Sequence, residues 1–303
     1  MRLDDYRESD NVGDQRGENF GGGGFNLAGG GGGLLFLIAS RFGIGGVLLL
    51  FLLMFLFGGN PLSLVGGGGS QVGSGGQQTQ VGHAVAQKAC GADAASAFSC
   101  RVLASAEDTW GPIMQQQGVK FFPADLIFYA GNGMSGCGAA QSAMGPFYCP
   151  TDNRIYLDTE FFRELDTRFH AAGDFAQAYV IAHEYGHHIQ YLLGIADKVR
   201  AQQEQASSTQ GNALQVRMEL QADCFAGVWG NRNKDRLDPG DIEEGLRAAN
   251  AIGDDTLQKE AQGRVVPDSF THGTSAQRVE WLKKGLDSGD PAQCDTFAAG
   301  ADA

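Results

Sequence analysis

The stretch Gly173-Asp-Phe-Ala-Gln-Ala-Tyr-Val-Ile-Ala-His-Glu-Tyr-Gly-His-His-Ile-Gln-Tyr-Leu-Leu-Gly194 decides how this chain of 303 residues is read. Phe175, Tyr179, Ala182, Gly186, Ile189 and Leu193 recur at steps of three and four, which describes one buried face of a helix. On that helix His183 and His187 lie one turn apart and share a face. Two imidazoles so placed hold a single Zn²⁺ at about 2.0–2.1 Å each, and the adjacent Glu184 can act as general base toward a water that the zinc activates. The His-Glu-x-x-His spacing therefore points to metal-dependent hydrolysis, a reading that needs its structural context.

Two imidazoles do not complete a catalytic zinc site, which has three protein ligands and an open position. The next helical stretch, Met218-Glu-Leu-Gln-Ala-Asp-Cys-Phe-Ala-Gly-Val-Trp229, offers Glu219 as the third ligand. Asp223, four residues on and on the same face, then accepts a hydrogen bond from a ligand histidine and orients it. Two alternatives stay open: Asp223 as the ligand, or an acidic pair on a solvated face. The apolar neighbours Leu220, Cys224, Phe225 and Val228 weigh against the second.

Further along, Ser269-Phe-Thr-His-Gly-Thr-Ser-Ala-Gln-Arg-Val-Glu-Trp281 starts another helix, with Thr274 as cap and Gln277 at the capping-box position. His272 lies in the loop just before it, as a donor to a developing oxyanion or simply as a surface histidine. Arg278 reads as the partner of an acidic neighbour. His188 follows His187 but points about 100° away around the helix, which makes it a packing residue or a support for the site.

Around these motifs the chain predicts a helix at 97–114, short strands at Leu126–Tyr129 and Ile155–Leu157, then helices near 159–169, 173–194, 213–230, 241–252 and 275–287. This is a mainly helical α+β domain with a small β-element, placed at 83–303. The Gln- and Ser-rich stretch 195–212 is a candidate cover for a cleft. All six cysteines fall in this domain, and an even count fits an oxidising compartment. Proximity in sequence pairs Cys90 with Cys100 and Cys137 with Cys149, which leaves Cys224 for Cys294; free buried thiols are the alternative. The formal charge of −13 argues against nucleic acid or an anionic membrane surface as the main partner.

Half of the 46 glycines lie in the first 80 residues. Residues 1–33 offer almost nothing apolar to bury and are expected to be a disordered tail. Phe42 to Gly59 contains no charge and spans about 27 Å as a helix, so 34–59 is expected to be one transmembrane helix, with Arg41 at the membrane edge. Residues 60–82 then serve as a flexible linker. Arg2, Arg7, Arg16 and Arg41 precede the apolar run and no Lys or Arg follows it until Lys88, which places the N-terminus in the cytoplasm. The expectation is a single-pass protein of the bacterial cell membrane whose folded domain is periplasmic or extracellular.

The stretches Gly145-Pro-Phe-Tyr-Cys-Pro150, His183-Glu-Tyr-Gly-His-His-Ile-Gln190, Glu219 to Trp229, Pro267-Asp-Ser-Phe-Thr-His-Gly-Thr-Ser275 and Arg7-Glu-Ser-Asp-Asn-Val12 together resemble the bacterial neutral zinc metallopeptidase family. The resemblance covers nearly the whole chain. It implies a zincin-like fold of the gluzincin type, Zn²⁺ held by His183, His187 and Glu219, Glu184 as catalyst, Asp223 in support, and protein or peptide substrates. The segment around His272 also looks like the Thr-His-Pro element of membrane zinc peptidases related to the heat-shock protease and the CAAX prenyl protease. The rival from another class is a non-catalytic module in which zinc only ties the helices of a membrane-bound binding or chaperone domain.

Overall fold

The computed structural model describes residues 1–18 and 79–298. Four short strands form one sheet in the order β1-β2-β6-β5: β1 (Val12–Asp14), β2 (Asp125–Phe128) and β6 (Arg154–Leu157) run parallel, and β5 (Phe147–Cys149) closes one edge antiparallel to β6. Strand alternation sorts the side chains onto two faces. Leu126, Phe128, Ile155 and Leu157 enter the main helical core, while Ile127, Tyr156 and Cys149 join Ala140 on the other face. Ala140 comes from an antiparallel hairpin, β3 (Asn132–Ser135) and β4 (Gly138–Gln141).

On the helical side α1 (His83–Cys90) and α2 (Ala94–Gln116) precede the sheet, with Asp93 capping α2 through Ser96 N at 2.7 Å. After the sheet come α3 (Glu160–Thr167), α4 (Asp174–Leu192), α5 (Ile195–Gln203), α6 (Ser208–Arg232), α7 (Asp241–Ala251), α8 (Asp254–Gln262) and α9 (Ser275–Ser288). The stretch 195–212, the candidate cover, forms α5 and the first turn of α6.

Three glycines set how closely the central helices approach. A Cβ on Gly186 of α4 would lie 3.0 Å from the Ala222 backbone of α6. On the next interface, a Cβ on Gly227 of α6 would lie 2.2 Å from Leu282 O, and one on Gly285 of α9 would lie 2.0 Å from Cys224 O. Only hydrogen fits there, so α4, α6 and α9 pack nearly backbone to backbone. Disulfides join Cys90 to Cys100, Cys137 to Cys149 and Cys224 to Cys294, the last fastening the chain's end to α6.

Two expectations need correction. Residues 1–18 are not a disordered tail. Leu3 and Val12 are fully buried, β1 pairs with β2, and the Met1 amino group lies 2.7 Å from Asp174 and 3.0 Å from Asp241. Arg7 binds Glu107 and Asp108 of α2, and Arg16 lies over the Phe128 ring. Ion pairs and a strand ladder supplement the burial of Met1, Leu3 and Val12, and neither is visible in composition. Val81 bridges back to Gly13, so the chain rejoins the sheet edge where it left, within the stretch expected as linker.

The single-pass membrane arrangement falls with the tail. The expected anchor at 34–59 lies outside the described residues, and no helix among the described residues is long and apolar enough to cross a membrane. Residues on both sides of that stretch, β1 before it and β2 after it, share one ladder. A segment crossing a bilayer once would put them on opposite sides, so a cytoplasmic N-terminus joined to a periplasmic or extracellular domain is incompatible with this fold. The disulfides agree with an oxidising compartment.

Candidate metal centre

Helix α4 presents His183, Glu184 and His187 to a cleft of 480 Å³, and α6 brings Glu219 to the same point. The two imidazole rings are edge to face with centroids 4.9 Å apart. Glu219 Oε2 lies 3.2 Å from His183 Nε2 and 3.5 Å from His187 Nε2, and one ligating atom from each residue lies within 4.8 Å of the others. Gly186 permits this convergence, because its missing side chain lets α6 approach α4 beside the histidines.

The remaining ring nitrogens fix both tautomers. His183 Nδ1 lies 2.8 Å from Asp223 Oδ1, and a carboxylate accepts, so Nδ1 carries the proton. His187 Nδ1 donates to Gln190 Oε1 at 2.9 Å. The Gln190 amide is itself oriented by two acceptors, Met218 O at 2.7 Å and Gln221 Oε1 at 3.1 Å. Both Nε2 lone pairs therefore face the Glu219 carboxylate. Three electron-rich atoms converging in this way need a cation between them, a proton or a metal. Two imidazole nitrogens and a carboxylate oxygen suit zinc.

The electrostatics follow. At Glu219 burial opposes ionisation most strongly, but the charge of His187 and the hydrogen bonds from His183 and His187 together outweigh it and hold the carboxyl well below its usual range. Burial likewise disfavours the His187 imidazolium, yet Glu219 raises that histidine to about 9. At Glu184 burial pushes the carboxyl up while the two histidines pull it down. Such a raised carboxyl suits a general base working near neutral pH.

Behind the histidines lies a buried network that the sequence only partly revealed. Asp223 accepts from Tyr179 OH at 2.6 Å and from Arg278 Nε and an Nη2 at 2.9 Å each. Burial would raise the Asp223 carboxyl, but Arg278 and His183 hold it at about 2. Arg278 thus has its acidic neighbour. The roles of Tyr179, Gln190 and Gln215 were missed in the sequence. Tyr179 meets Asp223 44 residues on. Gln190 and Gln215, which donates to Glu219 Oε1 at 2.8 Å, lie only three and four residues from His187 and Glu219, a helical spacing that could have pointed to them.

His272 lines the cleft and is half-exposed. Its loop is held by Asp254, whose Oδ2 accepts from Thr271 N and His272 N at 2.6 Å and whose Oδ1 lies 3.3 Å from His272 Nδ1. Thr274 and Gln277 form the expected capping box on α9. His188 is fully buried away from the metal-facing side.

Two histidines and a carboxylate on adjacent helices, with a free carboxylate in the same cleft, define the donor set of a metal-dependent hydrolase. The chain belongs to the family described as "Putative neutral zinc metallopeptidase", whose model matches residues 1–297. It is 48% identical to the uncharacterized protein YpfJ of Escherichia coli K12 over 98% of this chain and 99% of that one. It is 41% identical to the uncharacterized protein Mb2605 of Mycobacterium bovis and, equally, to Rv2575 of Mycobacterium tuberculosis H37Rv, over 72% of this chain and 77% of theirs. No solved structure matches the chain significantly.

Proposed function

We propose that this protein is a zinc-dependent endopeptidase in which His183, His187 and Glu219 hold the metal and Glu184 is the general base. The observation that carries this reading is the convergence of the two Nε2 lone pairs and the Glu219 carboxylate within 4.8 Å, beside Glu184 in an open cleft. When bound there, zinc supplies Lewis acidity to a scissile carbonyl and lowers the pKa of water. Glu184 then takes the proton from the attacking water and delivers it to the leaving amine. Asp223 and Gln190 hold the two imidazoles in the tautomers that ligation needs. His272, tethered by Asp254 at the cleft, donates toward the oxygen on which charge develops.

A purely structural zinc site needs no general base in its cleft, so Glu184 separates the two classes. Glu184→Gln is expected to keep one zinc per chain, measured by elemental analysis, while peptide cleavage falls about 10²–10⁴-fold. Wild-type cleavage rates in the purified variant overturn the assignment.

A further inference from the structure

His188 is completely buried, yet its ring makes two hydrogen bonds to separate parts of the chain. Nε2 lies 2.8 Å from the carbonyl oxygen of Phe122, just ahead of β2, and Nδ1 lies 3.0 Å from the hydroxyl of Tyr148 in β5. A carbonyl only accepts, so Nε2 carries the hydrogen and Nδ1 of the neutral ring is an acceptor. The Tyr148 hydroxyl has one proton and a second acceptor, Asn153 Oδ1 at 3.2 Å. Asn153 is partly exposed and can turn to water, whereas a buried Nδ1 left without a donor costs about 1–3 kcal/mol. The proton therefore goes to His188. The rings of Phe122, Tyr148, Tyr185 and Tyr191 pack around it.

This arrangement matters because of where β5 sits. It is the terminal strand of its sheet, three residues long, and β6 pairs with only one of its edges. The Gly145–Tyr148 segment lines the cleft, as do Phe161 of α3 and Val180 of α4, which add apolar surface to it. His188, one residue past His187, bonds the Gly145–Tyr148 wall to the helix that carries the histidine pair.

We propose that His188 is a positioning residue: through the Tyr148 hydroxyl it sets the distance between the apolar cleft wall and the metal-binding helix, and so the fit of a bulky apolar substrate side chain beside the scissile bond. The proposal rests on the endopeptidase reading above. Its chemistry calls for a donor and an acceptor at opposite ends of a neutral, flat side chain, which Gln reproduces and Leu does not.

The test uses the full chain loaded with zinc, and internally quenched peptides that differ only in Phe or Ala at one position, with cleavage sites mapped by mass spectrometry. Tyr148→Phe and His188→Leu are each expected to raise KM for the Phe peptides about five- to tenfold, the equivalent of one hydrogen bond, with kcat changed less than about threefold. Zinc content stays at the wild-type level. The double variant is no worse than either single one, because both remove the same link, and His188→Gln restores near wild-type KM. The proposal is overturned if the two effects multiply, if KM is unchanged, if Gln fails to rescue, or if kcat falls in step with zinc content. A wild-type chain that cleaves no peptide defeats the endopeptidase reading instead. The link is then scored by the Kd of a benzyl-bearing peptidyl hydroxamate, for which the same pattern among the variants is required.

Discussion

Arg278 holds Asp223 through two hydrogen bonds of 2.9 Å, and both side chains are almost entirely buried. A buried ion pair is stable only when its remaining atoms are also satisfied. Here Tyr179 and His183 complete the Asp223 carboxylate. The pair keeps Asp223 ionised, and ionised Asp223 keeps the Nδ1 proton on His183. Arg278→Met therefore leaves a buried carboxylate short of its cation. It is expected to cost about 3–5 kcal/mol in urea unfolding and about 10–100-fold in zinc affinity by chelator competition. Unchanged affinity would reduce Arg278 to a packing role.

At the proposed centre a metal would compete with a proton. In the metal-free chain Glu219 raises His187 to about 9, so at neutral pH this histidine is protonated and must lose its proton to ligate. Zinc affinity is expected to rise with pH, about tenfold per pH unit for each histidine proton that the metal displaces, and to level off above about pH 9. Titration calorimetry at pH 7 in buffers of different ionisation heat should record proton release on zinc binding, and a flat affinity between pH 6 and 9 contradicts the assignment. Asp223 works with the opposite sign. Its folded value of about 2 lies below the ordinary 3.8, so its stabilisation is complete above about pH 4 and is lost as pH falls through 2.

The N-terminal segment is part of the fold. A chain starting at residue 79 lacks β1 and the buried side chains of Leu3 and Val12, which contribute about 3–6 kcal/mol. That is a large share of the roughly 5–15 kcal/mol typical of a folded protein. Such a chain is expected to lose its near-ultraviolet dichroism and its resistance to proteolysis. Native spectra from it would show β1 to be dispensable.

The three disulfides differ in access. Cys137 is exposed, whereas Cys90, Cys100, Cys149, Cys224 and Cys294 are at most 1% exposed. Exchange requires a thiolate to reach a sulfur. Mild dithiothreitol followed by alkylation should label Cys137 and Cys149 first in peptide maps, with the other pairs modified only after unfolding. Equal labelling of all six would mean that the buried pairs open under native conditions.

What could be read from the sequence was local. The period of α4, the one-turn spacing of His183 and His187, and the Thr274–Gln277 cap are each fixed within a few residues. The disulfide pairing suggested by proximity also holds. The same local reasoning failed for residues 1–18, where low apolar content suggested disorder and the compensating partners, Glu107, Asp174 and Phe128, lie 90 or more residues away in sequence.

The sequence alone determined that two imidazoles and a carboxylic acid share one helix face, because helical geometry places residues three and four apart together whatever surrounds them. Only the tertiary structure decided that the Glu219 carboxylate meets the histidine pair, that Arg278 lies behind it, and that the first strand and the second lie in one sheet. The meeting of the three central helices depends on how closely they approach at Gly186, Gly227 and Gly285. That distance is set by the whole packed core, and no window of residues encodes it.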